Sequence, residues 1–517
     1  MAQISFSSLD IGTSGVKALI VDDSGKVISK SYRSYPCEYP RPGWVEQDVG
    51  IIWKKICEAS SEAIHNANIP ADSIKSLGIS SQRGTFIPVD KDLRPLMNSI
   101  VWSDTRADKE LDSILEKISK DRYHEISGVP PSSVWSYAKI KWYIDNRKDL
   151  FEKTFKFLNG QEYFLNKLGA EQLSTDPSSI TMNGMLDIEK LDWSRELCDL
   201  IGLPMDMLPV MGTPARMVGK ISKEASSETG FPEGMPIAIG GGDQQCTAIG
   251  AGIIKEGMAV VILGTGGAII AHIDTKKEDK DKKVVFGGSC IPEKWDMEGL
   301  QATGSGTLKW WEENFCLYEN NIAQESGSNV YEILNSEAVK SPPGSQGLVF
   351  FPFLQGQSTP SYDYNAKGGF LGISFAHNKA DIIRSIMEGT IFELNMIKEA
   401  MESVLGRKFY SLRISGGGTK SNLWNHIQAD IYGKSIERPK IADCASIGAA
   451  ILGAYGCKFF TSIEEGVEQM VSVVETIEPV EKNHQIYNEI YDIFFKTFNL
   501  LSKNNINKEL AELQRKF

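Results

Sequence analysis

The sequence of 517 residues lacks the features that identify several classes of protein. Its eight cysteines include no C-x-x-C pair. A chain of this length can bury a core without disulfides, so we expect reduced thiols and a cytoplasmic location. Its six histidines form no cluster with metal-ligand spacing, which argues against a zinc site. No basic stripe offsets the net charge of −12, so no nucleic-acid partner is expected.

Long apolar runs are missing as well. The nearest candidate, MAVVILGTGGAIIAHI at 258–273, is interrupted by glycines, and the first residues, MAQISFSSLD, contain no charged-then-apolar leader. We therefore expect neither a membrane span nor a secretory signal.

One short turn is present twice. LDIGTSGVK at 9–17 and VILGTGGAI at 261–269 both place Gly-Thr-x-Gly directly after an apolar run. The first glycines of the two turns lie 252 residues apart, nearly half the chain. This repeat predicts an internal duplication into two α/β domains, 1–252 and 253–517, whose glycine turns face a shared cleft.

The hydrophobic pattern predicts similar elements in the two halves. Strands are expected on both sides of each glycine turn and at SIKSLGIS and KKVVFGG. A helix is expected after Asp48, its N-cap. Further helices are expected over 379–401, 421–433 and 445–456. The amphipathic tail from about 480 to 517 is expected to cover the core in preference to pairing subunits.

The Gly-Thr-x-Gly turn suits a polyphosphate. Glycine lets backbone N–H groups approach an anion, and the threonine hydroxyl adds a donor. The spacing is not that of a Walker loop, and for a single copy a tight turn of purely geometric origin is the alternative. Asp10 and Lys17 flank the first copy alone. Beside a polyphosphate, the acid can hold Mg²⁺ through water and the lysine can balance charge.

A second acid, Asp243, follows the apolar strand MPIAIG within GGGDQQC. Phosphoryl transfer to an alcohol needs a carboxylate that accepts the hydroxyl proton. The structural alternative is a helix N-cap. A third glycine cluster, in RISGGGTKSNLW, ends a strand before a helix whose N-terminus can face adenine or phosphate, unless it is simply a close strand–helix turn.

Taken together, these segments resemble the FGGY carbohydrate kinases, which phosphorylate sugars and polyols with ATP. The resemblance runs from Asp10 to about Gly456. It includes the further segments PGWVEQD, SSQRGTF, IVWSDTRA, KIKWYIDN, FLQGQSTPSYDYNAKGGFLGIS and ASIGAAILGAYG. The resemblance implies two ribonuclease-H-like domains of the actin and hexokinase superfamily. The N-terminal domain would bind the sugar and carry the base, and the C-terminal domain would bind the nucleotide.

Carried over by position, Asp243 is similar to the family's general base and Asp10 to its Mg²⁺-associated acid. The two phosphate loops would contain Gly12, Thr13, Lys17, Gly264, Thr265 and Gly266. Further nucleotide contacts would come from Gly304, Thr307, Gly416, Gly417 and Ser421. ATP and Mg²⁺ are the implied cofactors. A homodimer is expected only because members of the family commonly form dimers.

The acceptor is expected to contact Gln82, Arg83, Trp102, Asp243 and Gln244. Arg83 offers several N–H donors to hydroxyl or carbonyl oxygens, and Trp102 an apolar face to C–H groups. The structural alternatives are a salt bridge from Arg83 to Asp104 and a core position for Trp102. The motifs WSDTRA and GGGTKSNLW are most similar to xylulokinases, and DQQ to glycerol kinases. We therefore expect conversion of D-xylulose to D-xylulose 5-phosphate, with glycerol, erythritol, ribulose, gluconate and autoinducer-2 as alternative acceptors.

A different class is the other hypothesis. Actin-like filaments and heat-shock chaperones share the duplicated fold and hydrolyse ATP to change shape. The stretch GGGDQQ, with Arg83 and Trp102, favours the kinase because a filament or chaperone does not need an acceptor pocket.

Overall fold

The computed structural model describes residues 4–516. Residues 1–3, in the stretch interpreted above as lacking a leader, and residue 517, at the end of the tail, lie outside the described part. The first large sheet contains β1 (Ser5–Ile11), β2 (Gly15–Asp22), β3 (Val27–Ser34), β4 (Ile74–Ser81), β5 (Met217–Lys220), β6 (Pro236–Ala238) and β7 (Gly241–Gly242). Its strand order is β5-β6-β4-β1-β2-β3, and β7 also pairs with β4.

The second large sheet comes from the second half of the chain. It contains β8 (Met258–Leu263), β9 (Gly267–Ile273), β10 (Val285–Gly288), β11 (Trp295–Gln301), β12 (Ser411–Ser415), β13 (Ile436–Pro439) and β14 (Val473–Ile477). Its strand order is β10-β11-β9-β8-β12-β13-β14.

Six strands of each sheet have the same spatial arrangement and directions, with β7 and β10 as additions, but the edge strand β5 precedes its neighbour β6 in the chain whereas β14 follows β13. Strands β1 and β8 each pair antiparallel with the next strand across a glycine turn, and parallel with β4 or β12 on the other side. Parallel β6 or β13 and then antiparallel β5 or β14 complete each sheet. The expected fold class of two duplicated α/β domains is confirmed, and so are the strands expected beside the turns.

Eight helices matter for the site and the core. They are α1 (Val49–Ala67), α2 (Ser136–Asn146), α3 (Asp243–Gly250), α4 (Gly306–Phe315), α5 (Lys379–Leu405), α6 (Asn422–Tyr432), α7 (Cys444–Gly456) and α8 (Glu481–Lys503). The expected N-cap of α1 is confirmed, since Asp48 accepts the Gly50 N–H at 2.7 Å.

Shorter elements complete the layers around the sheets. The other helices are Asp108–Leu115, Lys120–Ser127, Lys148–Phe151, Gly160–Leu168, Pro177–Ile180, Arg195–Ile201, Lys223–Thr229, Leu317–Ser326, Val330–Ala338, Ile463–Met470 and Ile506–Gln514. Two-stranded ribbons pair Glu46–Gln47 with Ser99–Ile100, Ile87–Val89 with Lys156–Leu158, Ser174–Thr175 with Val210–Met211, Leu186–Asp187 with Asp192–Trp193, and Val349–Phe351 with Gly369–Leu371.

Helix α7 belongs to the second half of the sequence but packs on the first sheet. It contacts β1, β4 and α3. The approach is close: a Cβ on Gly448 would lie 1.9 Å from the Cys246 carbonyl oxygen, and one on Gly250 would lie 1.9 Å from that of Cys444. The glycines therefore allow the backbones of α3 and α7 to touch where the two halves join.

The C-terminal tail covers the core, as expected. Tyr487, Phe494 and Phe498 of α8 are buried, and the Phe494 ring stacks on Phe351 with a centroid separation of 5.1 Å. Within residues 4–516, every helix is too short or too polar to cross a bilayer.

Candidate active site

The first sheet brings the predicted acids to one edge. Strands β1, β4 and β7 are parallel, with Asp10 opposite Ser80 and Gly241 opposite the same serine. Their carboxyl ends therefore lie together. Arg83 follows β4 and Asp243 follows β7 at this edge. The carboxyl edge of an open α/β sheet is where ligands bind.

Asp10 lies in a shielded, charged environment. The Ser80 hydroxyl donates to Asp10 Oδ1 at 2.9 Å, and Lys17 Nζ is 3.7 Å from Oδ2. Burial raises the pKa of Asp10 despite the positive charge of Lys17. A nearby cation would offset that cost of burying the carboxylate.

Lys17 is also committed within the protein. Its Nζ is 2.8 Å from Asp443 Oδ1, next to the start of α7. Burial opposes the shift, but the two carboxylates raise the pKa of Lys17. Asp443 was not predicted as a site residue. Its position directly before the helical ASIGAAIL segment was the available signal.

The first glycine turn is fixed in shape by hydrogen bonds within the protein. Gly12 N–H donates to the Gly15 carbonyl at 3.0 Å, and the Tyr35 hydroxyl donates to the Gly12 carbonyl at 2.5 Å. Ser14 at its tip is exposed. The turn therefore has a fixed shape and an open face.

Thr13 links the turn to the predicted acceptor residues. Its hydroxyl donates to Gln82 Oε1 at 2.9 Å and accepts from Trp102 Nε1 at 2.9 Å. Gln47 Nε2 donates to the Thr13 carbonyl at 2.6 Å, and Gln82 Nε2 donates to Gln47 Oε1 at 3.0 Å. Gln47 was not predicted as a site residue, although it lies within PGWVEQD. The Trp102 residue is 45% exposed, so its ring is not a core side chain.

Arg83 is bound by an acid from the second sheet. Its Nη1 and Nη2 donate to the two carboxylate oxygens of Glu298, in β11, each at 2.8 Å. The Arg83 side chain is 3% exposed and that of Glu298 is 0% exposed. Arg83 does not pair with Asp104, the alternative raised by the sequence, since Asp104 is bound by Arg106. No local pattern identified Glu298, which lies 215 residues from its partner.

Asp243 is the first residue of α3, and Gly242 is the N-cap, so the N-cap alternative for Asp243 is wrong by one residue. Its side chain is 37% exposed, and Oδ1 is 3.7 Å from Arg83 Nε. Burial raises the pKa of Asp243 to about 6; the charge of Arg83 opposes this shift, and the charges of Asp10 and Glu298 add to it. The carboxylate is ionised at neutral pH, yet it is more basic than an ordinary aspartate. Its neighbour Gln244 has a buried Oε1 without a hydrogen-bond partner in the described part of the chain.

The second glycine turn is built against the 302–306 loop. Gly264 N–H donates to the Gly266 carbonyl at 3.0 Å, and Gly306 N–H donates to the Thr265 carbonyl at 3.1 Å. A Cβ on Gly304 would lie 2.6 Å from the backbone of Gly266, so the two loops can meet only at glycine. Thr265 and Gly266 are exposed.

The third glycine cluster meets the same strand end. Gly416 has φ +92°, and a Cβ there would lie 2.6 Å from the Leu263 carbonyl oxygen. A Cβ on Gly417 would meet no heavy atom within 4 Å, so this glycine borders open space. The carboxyl ends of β8 and β12 thus form a second glycine-lined edge.

Two predicted nucleotide contacts have hydroxyls engaged elsewhere. Thr307 is buried and its hydroxyl donates to the Gly304 carbonyl at 2.8 Å. Ser421 caps α6 and its hydroxyl donates to Asn335 at 2.8 Å. Thr303, which the sequence analysis did not select, has a buried hydroxyl without a partner within residues 4–516. Thr303 is therefore better placed than Thr307 to offer its hydroxyl to a ligand.

The residues present fit a divalent cation that is held mainly by phosphate. Within residues 4–516 there is no group of three or more His, Cys, Asp or Glu side chains that could bind a metal. Mg²⁺ normally keeps several waters and binds one or two carboxylates besides substrate phosphates. The partly buried carboxylate of Asp10, beside the first glycine turn, matches that requirement.

Two sheet edges joined by the Arg83–Glu298 and Lys17–Asp443 pairs, one with a basic carboxylate and both with exposed glycine turns, are typical of the class of phosphoryl-transferring enzymes with a duplicated fold. The particular family follows from the comparison of sequences. The family described as "FGGY family of carbohydrate kinases, N-terminal domain" matches residues 6–250, and its C-terminal domain matches residues 259–457. The chain belongs to this family. It is an enzyme that transfers a phosphoryl group to a carbohydrate hydroxyl; the family implies ATP use and typically a divalent metal.

Relatives of this chain have different named acceptors. It is 28% identical to the xylulose kinase of Bacillus subtilis over 486 residues, covering 94% of this chain and 95% of that protein. It is 30% identical to glycerol kinase 2 of Thermotoga maritima over 470 residues, covering 89% and 91%. The crystal structure of gluconate kinase from Lactobacillus acidophilus superposes with a TM-score of 0.87 at 22% identity, covering 97% and 98% of the two chains. Sequence similarity alone therefore leaves the acceptor open.

Proposed function

We propose that the protein transfers the γ-phosphoryl group of ATP to a hydroxyl of a small ketose, with D-xylulose giving D-xylulose 5-phosphate as the principal reaction. The observation that supports this proposal most directly is Asp243. Its carboxylate is partly exposed at the junction of the two sheet edges, and its pKa is raised to about 6. A base with this pKa is ionised at neutral pH and still accepts a proton effectively.

In the proposed reaction, Asp243 accepts the proton of the attacking hydroxyl. The oxygen then attacks the γ-phosphorus, and the bond to the β,γ-bridging oxygen breaks. The first turn (Gly12, Thr13) and the second turn (264–266) hold the phosphates from opposite sides. Because the backbones of both turns are already fixed, they stabilise the negative charge that builds up on the phosphates in the transition state. Asp10 would hold Mg²⁺, which supplies charge neutralisation at the phosphates when bound.

The acceptor is proposed to lie between the Trp102 ring and the edge that carries Asp243. Gln244 supplies an amide group there, and its Oε1 has no partner within the described residues. The Gln82 amide is bonded to Thr13 and Gln47, so we assign Gln82 the positioning of the Trp102 side of the pocket. D-Xylulose is preferred because the WSDTRA and GGGTKSNLW motifs resemble xylulokinases and because the Bacillus subtilis relative is named xylulose kinase. Glycerol, erythritol, ribulose, gluconate and autoinducer-2 are the competing acceptors.

The nucleotide is proposed to bind mainly to 253–517, through the glycine-lined edge at Gly304, Gly416 and Gly417, whereas 1–252 binds the acceptor and supplies the base. The hydroxyls of Thr307 and Ser421 donate to other groups of the protein, so we propose that these two residues position the loops and do not contact the nucleotide through their hydroxyls. We place the enzyme in the cytoplasm, since ATP is available there and all eight cysteines are unpaired.

A coupled assay with a panel of acceptors tests the proposal. D-Xylulose, ribulose, glycerol, erythritol, gluconate and an autoinducer-type dihydroxyketone are compared at saturating ATP and Mg²⁺. D-Xylulose should give the highest kcat/KM. A higher value for another acceptor would replace D-xylulose, and ATP turnover that no acceptor stimulates would contradict the proposed reaction.

A further inference from the structure

The carboxylate of Glu298 binds the guanidinium of Arg83, which an acceptor would otherwise contact. Both Nη groups of Arg83 donate to the Glu298 carboxylate at 2.8 Å. Gln245 Nε2, on α3, donates to Glu298 Oε1 at 2.7 Å and fixes the carboxylate further. The Nε–H of Arg83 is left without a hydrogen-bond partner among residues 4–516, and it lies 3.7 Å from Asp243. Arg83 therefore has only its buried Nε–H, beside Asp243, outside the bidentate pair with Glu298.

Carboxylates consequently outnumber cations around the base. The charges of Asp10 and Glu298 both act on Asp243, and Arg83 is the cation among these acids. Lys17 is already paired with Asp443 at 2.8 Å. An incoming carboxylate would find no unneutralised guanidinium in this group and would be repelled by the acids.

The other buried cation nearby does not change this balance. Lys139 of α2 directs its Nζ to the carbonyls of Gly84 and Val101 at 3.0 and 2.8 Å. Its three N–H donors face backbone oxygens, and burial lowers the pKa of Lys139 to about 7. It lies behind the pocket loops, where it supports them.

We propose that Glu298 is a specificity-determining residue, which sequesters the Arg83 fork so that the site accepts neutral polyhydroxylated acceptors and rejects anionic ones such as aldonates. Glu298 acts through Arg83 and is a positioning residue. The inference rests on the proposed kinase function and deepens it by naming the charge class of the acceptor. A planar guanidinium binds a carboxylate bidentately when its fork is free. Removing the charge of Glu298 should therefore admit an anionic acceptor.

The direct test compares D-gluconate with D-xylulose in the wild type and in Glu298→Gln. The ratio of kcat/KM for gluconate to that for xylulose should rise by about tenfold or more in the variant. Asp296→Asn is the matched control, because Asp296 is a buried acid on the same strand that contacts His272 and acts on Arg83 through its charge alone, without a hydrogen bond to the fork. The control should keep the wild-type ratio. An unchanged ratio in Glu298→Gln, with transfer to xylulose retained, would overturn the role of Glu298 alone.

A double variant shows whether the gain depends on Arg83. In Arg83→Gln/Glu298→Gln the cation is absent, so the gluconate ratio should return toward the wild-type value. A gain that persists in the double variant would contradict the proposal, since a larger or looser pocket would then explain it.

The pH profile gives a second readout that a purely structural role would not change. Asp243 is faced by Arg83, Asp10 and Glu298. Loss of the negative charge of Glu298 leaves Arg83 to act on Asp243, which lowers the pKa of Asp243. The acidic limb of kcat/KM for xylulose should move to lower pH in Glu298→Gln. A limb that stays in place or moves to higher pH would contradict the assigned charge coupling.

The wild-type protein supports a test that does not depend on any variant folding. D-Gluconate and D-glucitol differ by a carboxylate in place of a CH₂OH group. The two compounds are compared as inhibitors of xylulose phosphorylation. The inhibition constant of glucitol should be lower than that of gluconate by a factor of about ten or more. Equal or tighter binding of gluconate would overturn the inference. If no acceptor is phosphorylated, the proposed function fails, and a thermal-shift comparison of the same two compounds still decides the charge preference.

Discussion

At the residue scale, the polar side chains of the site reach it by two routes, through the ends of parallel strands and through tertiary packing. Asp10 and Asp243 each follow an apolar run, and the carboxyl ends of parallel strands meet at one edge, so their proximity was predictable. Glu298, Asp443 and Gln47 reach the same region by tertiary packing. Glu298 looks like any acid in an alternating strand, and its partner lies 215 residues away.

Replacement of the base tests the central residue. Asp243→Asn keeps the shape of the side chain but cannot accept a proton, so kcat should fall by about 100- to 10,000-fold while ATP binding persists. The folded protein raises the pKa of Asp243, so its charged form is destabilising at neutral and alkaline pH. This stability cost declines as pH falls from about 6 and is gone below the ordinary value of 3.8. Asp243→Asn should therefore raise the melting temperature at pH 8. Near-normal turnover, or a clear loss of stability, would contradict the assignment.

The wild-type pH profile follows from the same shift. Transfer requires the ionised carboxylate, so kcat/KM should decline as pH falls through about 6, well above the 3.8 of an ordinary aspartate. The measurement is the acceptor kcat/KM from pH 5 to 8, with the coupling enzymes in excess at each pH. A profile flat down to pH 5 would exclude Asp243 as the group that titrates.

Lys139 is predicted to position the acceptor loops. Its ammonium donates to the carbonyls of Gly84 and Val101 at 3.0 and 2.8 Å from a fully buried position. Lys139→Met removes the donor to the Gly84 carbonyl and one of two donors to the Val101 carbonyl, which also accepts the Asp104 N–H at 3.0 Å. The KM for the acceptor should therefore rise by about tenfold with the KM for ATP unchanged. Lys141→Met, on the same helix but paired with Asp145, is the control. An equal rise in both KM values would indicate general loosening instead of loop positioning.

At the scale of elements, the pattern predicted strands and helices well but not which surfaces they contact. The glycine turns, the flanking strands and α1 with its N-cap were all read from periodicity and turn residues. The small-residue helix ASIGAAILGAYG was predicted as a helix, yet nothing in its composition indicated that it packs across the molecule on β1 and β4. Small residues allow close approach without specifying the partner.

The crossing of α3 and α7 gives a prediction at this scale. A Cβ on Gly448 would lie 1.9 Å from the Cys246 carbonyl oxygen. Alanine is intrinsically a better helix former than glycine by about 1 kcal/mol. The backbone clash nevertheless dominates, so Gly448→Ala should destabilise the protein by about 1–3 kcal/mol. Because Asp243 begins α3, kcat should fall as well. Gly369→Ala, where a Cβ would meet no heavy atom within 4 Å, should leave both unchanged. A melting temperature equal to that of the wild type would show that the helices can separate freely.

At the scale of the whole molecule, two turns of the same Gly-Thr-x-Gly pattern predicted the duplication because each copy needs the same glycines at the same place. Six strands of the two sheets share position and direction, although the last two exchange their order in the chain. What the repeat could not predict is how the halves are joined. Arg83 with Glu298, and Lys17 with Asp443, each connect residues of the two family domains, and both pairs depend on the geometry of the assembled cleft.

The Lys17–Asp443 pair should couple the stabilities of the two halves. The pair is partly buried, with side-chain exposures of 26% and 20%, and a double-mutant cycle with Lys17→Met and Asp443→Asn should show coupling of about 1 kcal/mol. The pKa of Asp443 is lowered by Lys17 against the effect of burial, and the pKa of Lys17 is raised. The coupling is therefore present above the ordinary aspartate value of 3.8 and persists until pH passes 10.5. Melting temperatures of the four proteins at pH 5.5 and 9 should give the same coupling.

Lys30 supplies the matched comparison for this pair, because it reaches the other oxygen of Asp443 at 3.4 Å from a side chain that is 64% exposed. Salt screens exposed pairs more than buried ones, so the coupling of Lys30 to Asp443 should vanish in high salt while that of Lys17 remains. Additive effects of Lys17→Met and Asp443→Asn would show that the pair does not link the halves. If salt abolished the coupling equally for both lysines, Lys17 would be as solvated as Lys30. The cleft beside the first turn of α7 would then be too open to shield Asp10 from solvent.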